Sequence, residues 1–399
     1  MTAGRAAEAL GVSVATLYSY VSRGMLRSFS VEASPRLRRY LRDDVTRLIE
    51  QREFKRNPGK AAARGLHWGS PVLESALTLI SEGRLFYRGE DALELAQRSS
   101  VENVAALLWT GDSTQAGHIF SKKSAGLPLR IPGLLKTDAD LGPIERCQLM
   151  LPVAAALDLA AYDLQPSAVA KTGARILRLL LSVILRRLPQ GPIDTALTEA
   201  WLPTRKSAAP ALRAALILCA DHELNVSAFT ARCIASARAT PYEVVIGALA
   251  AFRGPQHGGV SEQVEALFEQ TERTDRLRDV FSRRLRSTGS LPGFGHPLYP
   301  QGDPRAALLI SLAETYGIRS AVESARRLVR TAQSLVGQHP NLDFGLVTLR
   351  RGLNLPREGS MALFALGRSV GWIAHAIEQY ADSRLIRPRA RYIGPIPSG

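Results

Sequence analysis

Cysteine is scarce in this chain: there are three among 399 residues, and no two stand at a CxxC spacing. An odd number of cysteines in apolar stretches argues against a disulfide framework and against a zinc site built on thiolates. Cys147, Cys219 and Cys233 are therefore expected to be reduced, buried thiols. The segment Asp221-His222-Glu223 has no HExxH or HxH partner, so no metal site is expected either.

Long uninterrupted apolar runs are also missing. The N-terminus has no hydrophobic stretch of signal-peptide type, and Arg or Pro interrupts the longest apolar stretches before they reach bilayer length. We expect a cytoplasmic protein without membrane contact. Hydrophobic residues nevertheless make up 46% of the chain, which excludes a disordered protein and allows a sizeable core and more than one domain.

Acidic residues are too few to balance the basic ones, and the imbalance is uneven along the chain. The formal net charge is +15, and residues 1–64 alone hold 13 Lys and Arg against 6 Asp and Glu. This sixth of the chain thus carries almost half of the excess charge. The distribution predicts a basic module at the N-terminus.

The pattern of residues 2–24 predicts two short helices around a tight turn at Gly11. Ser13 is the expected N-cap of the second helix, and Val14, Leu17 and Val21 recur at helical spacing toward a core. This is the layout of a helix-turn-helix. Its second helix would present four side chains to a DNA groove: Thr16, Ser19, Tyr20 and Arg23.

In the run Arg36–Arg42 basic residues alternate with others, as expected for a strand that contacts DNA phosphates, and Arg38 and Arg39 are the candidate contacts. An amphipathic helix is expected from about 43 to 54. Together these elements resemble the winged helix-turn-helix of the MerR and excisionase type. Small basic helical modules also serve as docking or dimerisation units. DNA binding through residues 1–56 is therefore a hypothesis with a protein-docking alternative.

The stretch 57–65 is a composition break that predicts a linker. Beyond it, apolar residues recur at intervals of three and four, with one short strand expected at Leu85–Tyr87. The predicted helices cover Val72–Ile80, Val101–Leu108, Arg175–Leu188, Ala211–Leu218, Val244–Ala251, Ala306–Leu312 and Met361–Ile377.

Two glycine-bracketed histidines and an isolated aspartate are the candidates for acid/base chemistry: His257, His296 and Asp343. His257 lies in Gly254-Pro-Gln-His-Gly-Gly259, whose last glycines would let a substrate approach the backbone, and Ser261 is the expected cap of the next helix. The positive end of that helix disfavours a protonated imidazole and leaves a neutral N–H donor. A structural histidine is the alternative for His257.

His296 stands in Gly293-Phe-Gly-His-Pro297, and Asp303-Pro304 then begins a helix with Arg305 in its first turn. A guanidinium and free N–H groups there favour a carboxylate ligand, although Asp-Pro pairs also cap helices without any ligand. Asp343 follows a Pro-Asn pair and is the candidate base, a plain N-cap being the alternative.

Arg368 is the one permanent charge in the apolar run between Glu358 and Glu378. A buried guanidinium is costly, so it must meet an internal carboxylate or a ligand's carboxylate, and we favour the ligand. Gly367 and Gly371 have no side chains, so they would allow a ligand or a partner helix to approach this helix closely.

These motifs, in this order, resemble the citrate synthase family over residues 66–399, with only 113–211 weakly similar. The resemblance rests on EGRLFYRGEDALELAQRSSVENVAALLWTGD from Glu82, DHELNVSAFTARCIAS from Asp221, GPQHGG, GFGHPLYPQGDPRA, HPNLDFG, GWIAHAIEQ and RPRARYIGP. It implies a mainly α, two-domain, all-helical homodimer, here preceded by the small winged helix-turn-helix domain. The family also implies an acyltransferase of the tricarboxylic acid cycle that needs no cofactor beyond its acetyl-CoA substrate.

By position, the resemblance implies that Asp343 takes a proton from the acetyl-CoA methyl group, that His257 hydrogen-bonds the enolate, and that His296 donates to the oxaloacetate carbonyl. Water then cleaves citryl-CoA to citrate and CoA. A thioester α-proton is far less acidic than a carboxylic acid, so the base needs this oxyanion stabilisation. The matching oxaloacetate-binding positions are His222, Arg305, Arg368 and, from the partner subunit's tail, Arg387.

The chain departs from the family pattern at Gln256, where Leu is usual, and at 297–302, which lacks the basic residue expected for a CoA phosphate. Citrate synthase is the favoured function. A 2-methylcitrate synthase using propionyl-CoA remains open, because one methylene is worth only about 1 to 3 kcal/mol. A DNA-binding regulator that senses acyl-CoA or a dicarboxylate also remains open.

The expected domains follow from the break and from the family. They are a winged helix-turn-helix at 1–56, the linker 57–65, a large helical domain at 66–257, a small helical domain at 258–350, and a return to the large domain with a dimer-reaching tail at 351–399.

Overall fold

The computed structural model describes residues 1–31, 34–41, 44–45, 48–49, 73–121, 126–127, 131, 141–272, 274, 276–390 and 392–395. The chain divides into two compact units, Met1–Glu74 and Ser75–Gly399. The predicted linker 57–65 lies outside the described residues. Of the helix predicted at 43–54, the described residues 44, 45, 48 and 49 are helical.

The N-terminal unit begins with helices α1 (Ala3–Leu10) and α2 (Val14–Ser22). Gly11 joins them in the left-handed region at φ 61°, which glycine adopts without strain, and the Ser13 hydroxyl caps α2 by accepting the Thr16 N–H at 3.2 Å. Strands β1 (Ser28–Val31) and β2 (Ser34–Tyr40) form an antiparallel hairpin, so the basic run is extended as predicted.

The buried face of α2 differs from the prediction. Leu17 is fully buried and Tyr20 packs against the same core, whereas Val14 is exposed. Residues 17 and 20 are one helical turn apart and share a face, so Tyr20 belongs to the core side of α2. Tyr18, 53% exposed, is the tyrosine that this helix presents to solvent.

The second unit opens with a three-stranded antiparallel sheet and continues as helices. Its strands are β3 (Thr78–Ser81), β4 (Arg84–Tyr87) and β5 (Glu90–Asp91). The prediction of a helix over Val72–Ile80 is therefore wrong: the described residues end in β3, because Gly83 at φ 74° turns the chain so that Leu79 pairs with Phe86.

The helices of this unit follow in chain order. They are α3 (Ala92–Arg98), α4 (Val101–Thr110), α5 (Ala116–Ile119), α6 (Pro143–Leu157), α7 (Pro166–Leu185), α8 (Ile193–Trp201), α9 (Ala209–Cys219), α10 (Val226–Ser236), α11 (Pro241–Phe252), α12 (Val260–Glu272), α13 (Leu277–Thr288), α14 (Pro304–Tyr316), α15 (Arg319–Val336), α16 (Leu342–Leu353) and α17 (Gly359–Ala381). Short 3-10 turns lie at Ser113–Gln115, Leu159–Tyr162 and Lys206–Ala208.

Helix α17 is the centre of the larger core, with α4, α7, α9, α10, α11 and α16 packed against it. Its length and composition would suffice to cross a membrane, but the apolar window is entirely buried inside the protein. Gly367 and Gly371 lie where α17 meets the end of α9: a Cβ at these positions would stand 2.5 Å from the Leu216 carbonyl and 2.3 Å from the Ala220 carbonyl. The two glycines thus serve a partner helix.

A second, smaller hydrophobic cluster is built by α12, α13, α15 and one face of α16. Val264, Phe268, Phe281 and Leu328 are among its buried members, and Phe344 of α16 stacks against Phe268 at 5.4 Å between ring centroids. Helix α16 also contributes Leu346 and Leu349 to the larger core. It therefore connects the two clusters, and its first turn carries Asp343.

Candidate active site

His222 lies on the short connection between α9 and α10, which buried polar contacts hold in place. Asp221 accepts a hydrogen bond from the Thr78 hydroxyl at 2.6 Å and lies 3.2 Å from His375 Nε2. The Tyr87 hydroxyl donates to the Ile217 carbonyl at 2.9 Å. With its carboxylate so engaged, Asp221 is structural, and its fixed backbone sets the position of His222.

His222 and His296 come together around a tyrosine that the sequence analysis did not single out. The two imidazoles are 5.1 Å apart and T-shaped, and the Tyr299 hydroxyl lies 3.1 Å from His222 Nε2. Burial, followed by Arg305 and Arg368, lowers the pKa of His222 well below its usual range. Burial also raises the pKa of Tyr299 to about 12. Both groups are neutral at pH 7, so each contributes hydrogen bonds without adding charge.

The tautomer of His296 follows from its backbone contact. Its Nδ1 accepts the Leu298 N–H at 3.1 Å, so a neutral ring carries its proton on Nε2. Burial and then Arg305 lower the pKa of His296 to about 4, which keeps the ring neutral at physiological pH. Gly293 and Gly295, at φ 82° and 75°, make the loop conformation possible. His296 is therefore a neutral Nε2–H donor.

Arg305 has an internal partner. Asp303 binds its guanidinium through two hydrogen bonds, from Nε at 2.9 Å and from Nη2 at 2.7 Å, and both residues are buried. Asp303 also accepts the N–H groups of Arg305 and of Leu342. It thus ties the start of α14 to the start of α16. The pair fixes Arg305 in one orientation, and its Nη1 donates a hydrogen bond to none of the described residues.

Arg368 has no such partner. It is 2% exposed, its Nε donates to the Cys219 carbonyl at 2.7 Å, and its guanidinium carbon lies 5.0 Å from the centre of the Phe364 ring. Among the residues that the structure describes, no carboxylate forms an ion pair with it. Burial lowers the pKa of Arg368, and the more distant Asp221 offsets part of that effect. A buried cation without an anion favours a ligand carboxylate at this position.

His257 is linked to the core through one hydroxyl. Its Nε2 lies 2.8 Å from Ser227 Oγ, which also accepts the Trp372 indole N–H at 3.0 Å. Asn225 Oδ1, which can only accept, is a second acceptor for the Ser227 hydroxyl at 2.8 Å. Burial and then Arg368 lower the pKa of His257 to about 3, so the ring is neutral. The single Ser227 proton sets the tautomer: when His257 Nε2 accepts it, Nδ1 carries the remaining ring proton.

The glycines after His257 make room for a protein side chain. A Cβ at Gly258 would stand 2.3 Å from the Phe252 ring, and one at Gly259 would stand 3.0 Å from the Arg253 carbonyl. Their small size is therefore required by packing within the loop, and close approach of a substrate to their backbone stays a prediction. The Phe252 ring in turn lies 5.3 Å from the His257 ring and supports it.

Asp343 stands in the first turn of α16 but is not its cap. Asn341 is the N-cap, and its side-chain oxygen accepts the N–H groups of Asp343 and Phe344. The Asp343 carboxylate is thereby released from capping, and its Oδ1 accepts the Ser261 hydroxyl at 2.8 Å. Burial raises the pKa of Asp343 to about 6. A carboxylate with this pKa is a competent general base near neutral pH.

One predicted site residue lies apart from the others. Arg387 is on the exposed C-terminal segment, where Nη1 donates to the Pro388 carbonyl at 3.4 Å. The remaining six lie within electrostatic reach of one another: Arg305 and Arg368 affect the pKa of both His222 and Asp343, and His257 and His296 affect the pKa of His222.

Sequence comparison gives the same assignment as the motifs. The sequence model of the family described as citrate synthase, C-terminal domain, matches residues 65–389. The chain belongs to the citrate synthase family. Residues 1–64, which include α1, α2 and the hairpin, lie outside this match.

Relatives with different printed activities are about equally similar. Citrate synthase 2 of Bacillus subtilis is 29% identical over 84% of this chain and 96% of its own length. The 2-methylcitrate synthase of Shewanella oneidensis is 28% identical over 85% and 96%. The citrate synthase of Synechocystis is 32% identical over 82% and 89%. The choice of acyl-CoA is therefore not resolved by overall similarity.

Solved citrate synthases have the same fold. The enzyme of Thermotoga maritima superposes with a TM-score of 0.71 at 27% identity, covering 83% of this chain and 96% of that one. The Thermoplasma acidophilum enzyme, solved as a ternary complex with carboxymethyl coenzyme A and oxaloacetate, gives a TM-score of 0.71 at 25% identity, covering 84% and 97%.

Three residues that support this site were not predicted from the sequence to do so. Tyr299, Ser227 and Ser261 each contact a predicted site residue through a hydroxyl group. Tyr299 is three residues after His296, a spacing that is the only local signal. In the sequence Ser227 looks like an ordinary helix residue and Ser261 like a helix cap, because their partners are 30 and 82 positions away.

Proposed function

We propose that this protein condenses an acyl-CoA with oxaloacetate and hydrolyses the resulting thioester, with acetyl-CoA as the favoured substrate and citrate as the product. The observation that carries the proposal is the grouping of a raised-pKa carboxylate, two neutral imidazoles and a buried unpaired guanidinium, which are Asp343, His257, His296 and Arg368. Each is in the protonation state that the reaction requires.

Oxaloacetate is a dianion, and the proposed subsite supplies fixed cations. Arg368 offers an unpaired guanidinium, Arg305 is held in one orientation by Asp303, and His222 adds a neutral donor beside Tyr299. The His296 Nε2–H then donates to the ketone carbonyl, which becomes more electrophilic. Because the rings are neutral and the arginines are already positioned, little reorganisation is needed when the substrate binds.

Proton removal from the acyl-CoA is assigned to Asp343. Its carboxylate takes the α-proton, and the negative charge moves to the thioester oxygen, which accepts a hydrogen bond from His257 Nδ1–H. The α-carbon then attacks the ketone carbon of oxaloacetate, and the former ketone oxygen takes a proton from His296. Water cleaves the thioester, releasing CoA as the free thiol. For Nδ1 to act as this donor, the Ser227 hydroxyl must donate its hydrogen bond to His257 Nε2 and not to Asn225 Oδ1.

The choice between acetyl-CoA and propionyl-CoA stays within this proposal. The extra methyl group of propionyl-CoA is a small change in apolar contact, worth about 1 to 3 kcal/mol, and both activities occur among the similar relatives. A 2-methylcitrate synthase is the second candidate.

A homodimer is proposed from an exposed apolar stripe. Leu149, Val153 and Leu157 recur every four residues on α6 and are all exposed, and Leu159 and Tyr162 continue the stripe at 80% and 70% exposure. Such a row on a described surface favours burial by a second copy. In that dimer the exposed tail would carry Arg387 into the partner subunit's site.

The domain division and location are proposed in the same way. The second hydrophobic cluster supports a small domain at 258–350 that closes over the substrates and excludes water from the enolate. The large domain would comprise 66–257 and 351–399. A cytoplasmic location agrees with reduced thiols and with substrates of central metabolism.

The N-terminal unit is proposed to be a winged helix-turn-helix that contacts DNA. Helices α1 and α2 with the hairpin support this, and Arg23, Arg38 and Arg39 are exposed. Thr16 and Ser19 are half-buried. Docking to another protein and regulation by sensed acyl-CoA or dicarboxylate are the alternatives.

Fluorescence anisotropy with duplex DNA tests whether the N-terminal unit binds DNA. The affinity for DNA should fall steeply between 50 and 200 mM salt and be lost in Arg38→Ala/Arg39→Ala.

The catalytic assignment is tested by Asp343→Ala. Release of CoA thiol from acetyl-CoA and oxaloacetate should fall by about 100-fold or more, as for loss of a general base, while oxaloacetate binding measured by calorimetry changes little. If the variant retains wild-type turnover, Asp343 is not the base.

A further inference from the structure

Ser261 occupies an unusual position for a helical serine. It is the second residue of α12 and only 1% exposed, so its hydroxyl must find an internal partner. It was expected to cap this helix, but α12 already begins at Val260. The Ser261 hydroxyl is therefore not needed by the helix terminus.

Four other buried serines and threonines within helices donate to the carbonyl four residues earlier. This holds for Ser182 to Arg178, Thr198 to Asp194, Thr271 to Leu267 and Ser369 to Ala365. Ser261 does not do so: its hydroxyl donates across 82 residues to Asp343 Oδ1 at 2.8 Å. The contact bridges α12 and the first turn of α16.

The surroundings of Asp343 make this hydrogen bond consequential. Arg305 and Arg368 favour its ionised form, Asp303 disfavours it, and burial opposes ionisation most strongly. Among the described residues, Ser261 is the one side chain that donates a hydrogen bond to this carboxylate. The other oxygen, Oδ2, receives none from them.

We propose that Ser261 is a positioning residue that keeps the Asp343 carboxylate ionised and directs Oδ2 toward the proton to be removed. A hydroxyl donor stabilises the carboxylate and not the carboxylic acid, so it opposes the effect of burial. By occupying Oδ1, the Ser261 hydroxyl also restricts rotation of the Asp343 carboxylate about the Cβ–Cγ bond. This inference rests on the proposed role of Asp343 as the base.

The test is the Ser261→Ala variant with its pH–rate profile. Loss of a hydrogen bond to a charged group should move the acidic limb of kcat/KM for acetyl-CoA upward by about one to two pH units. Ser182→Ala is the matched control: it removes a fully buried helical hydroxyl in α7 that contacts only a backbone carbonyl. Its limb should coincide with that of the wild type.

A second measurement does not depend on activity. Thermal denaturation should show a larger loss of melting temperature for Ser261→Ala at pH 8 than at pH 4.5, because the ionised carboxylate has lost its donor. In the Asp343→Asn background this pH dependence should vanish. The proposal is overturned if Ser261→Ala leaves the acidic limb of the pH–rate profile unchanged and lowers the melting temperature equally at both pH values. Absence of turnover in the wild type would instead refute the proposed function, and the thermal cycle would still test the coupling.

Discussion

Two buried arginines of this site differ in what compensates their charge. Arg305 shares a bidentate ion pair with Asp303, whereas Arg368 meets only the Cys219 carbonyl and an aromatic face. From the sequence both were expected to bind a ligand carboxylate, because Asp303 was interpreted as a helix cap and not as the partner of Arg305. We therefore expect Arg305 to be needed for stability as well as for substrate binding, and Arg368 mainly for substrate binding.

Substitution by methionine should therefore affect mainly oxaloacetate binding at Arg368 and mainly stability at Arg305. Arg368→Met should raise the Kd for oxaloacetate by about 10- to 100-fold, since hydrogen bonds to charged groups are worth about 1.5–3 kcal/mol, with little loss of stability. Arg305→Met leaves the Asp303 carboxylate buried and unpaired and should cost about 3–5 kcal/mol. Calorimetric binding and denaturant titration give both numbers. Equal destabilisation by the two variants would contradict the assignment.

The raised pKa of Asp343 predicts a trade-off between activity and stability. Its folded-state pKa of about 6 exceeds the unperturbed value of 3.8, so the native state binds the proton more tightly than the unfolded chain. Stability is thus favoured at low pH and declines as pH rises through 6, by up to about 3 kcal/mol. Asp343→Asn should be more stable than the wild type at pH 8 and nearly equal at pH 4.

Thermal denaturation at these two pH values checks this expectation. An Asn variant that loses stability equally at both would show that the carboxylate is not strained by burial. The candidate residues His257, His296 and Asp343 could be singled out in the sequence, because the histidines stand beside glycine and Asp343 is an isolated acid after a Pro-Asn pair. Ser227, Ser261 and Tyr299 could not, because their hydroxyl contacts arise only when distant helices pack.

At the scale of elements, α17 controls the position of the α9–α10 connection. A Cβ at Gly371 would lie 2.3 Å from the Ala220 carbonyl and 2.6 Å from Asp221 Oδ1. Gly371→Ala must displace that connection, and with it His222. Overpacking of this kind costs about 1–3 kcal/mol, and weaker oxaloacetate binding should accompany it.

Gly117→Ala is the control for this substitution, because nothing lies within 4 Å of its Cβ position in α5. That variant should be neutral or slightly stabilising. Comparison of melting temperature and oxaloacetate Kd for the two variants tests the account. If Gly371→Ala behaves like the control, α9 does not pack as closely as described.

Elements with strong helical periodicity are predictable, while short apolar segments are not. Ala211–Leu218 and Met361–Ile377 lie within observed helices. Val72–Ile80 has the same spacing of apolar residues but ends in strand β3, because pairing with β4 outweighs the local pattern. On α2, Leu17 and Val21 face the core as predicted, but Val14 is exposed and Tyr20 takes a place on the core side.

For the whole molecule, the exposed stripe on α6 predicts the assembly. Leu149→Glu/Val153→Glu should convert a dimer into a monomer, because two charges cannot be buried in an apolar interface. Ile318→Glu, on an exposed residue of another surface, is the control and should leave the dimer intact. Sedimentation velocity distinguishes the two. A double variant that remains dimeric would place the interface elsewhere.

Hybrid dimers test whether Arg387 acts in the partner's site. Asp343→Asn and Arg387→Ala subunits should each be inactive alone. After unfolding and refolding together, half of the dimers are mixed and each contains one complete site, so about a quarter of wild-type activity should return. Coupled thiol-release assays measure it. No recovery would mean that the arginine and the aspartate must lie on the same chain.

The most direct test of the central claim is CoA thiol release by the purified full-length protein with oxaloacetate, comparing acetyl-CoA with propionyl-CoA. We predict turnover on acetyl-CoA that disappears in Asp343→Asn, whose folding is preserved. Turnover faster on propionyl-CoA would keep the mechanism and change the substrate to that of a 2-methylcitrate synthase. A folded dimer that binds oxaloacetate but releases no thiol from either would contradict the account and favour a sensor function.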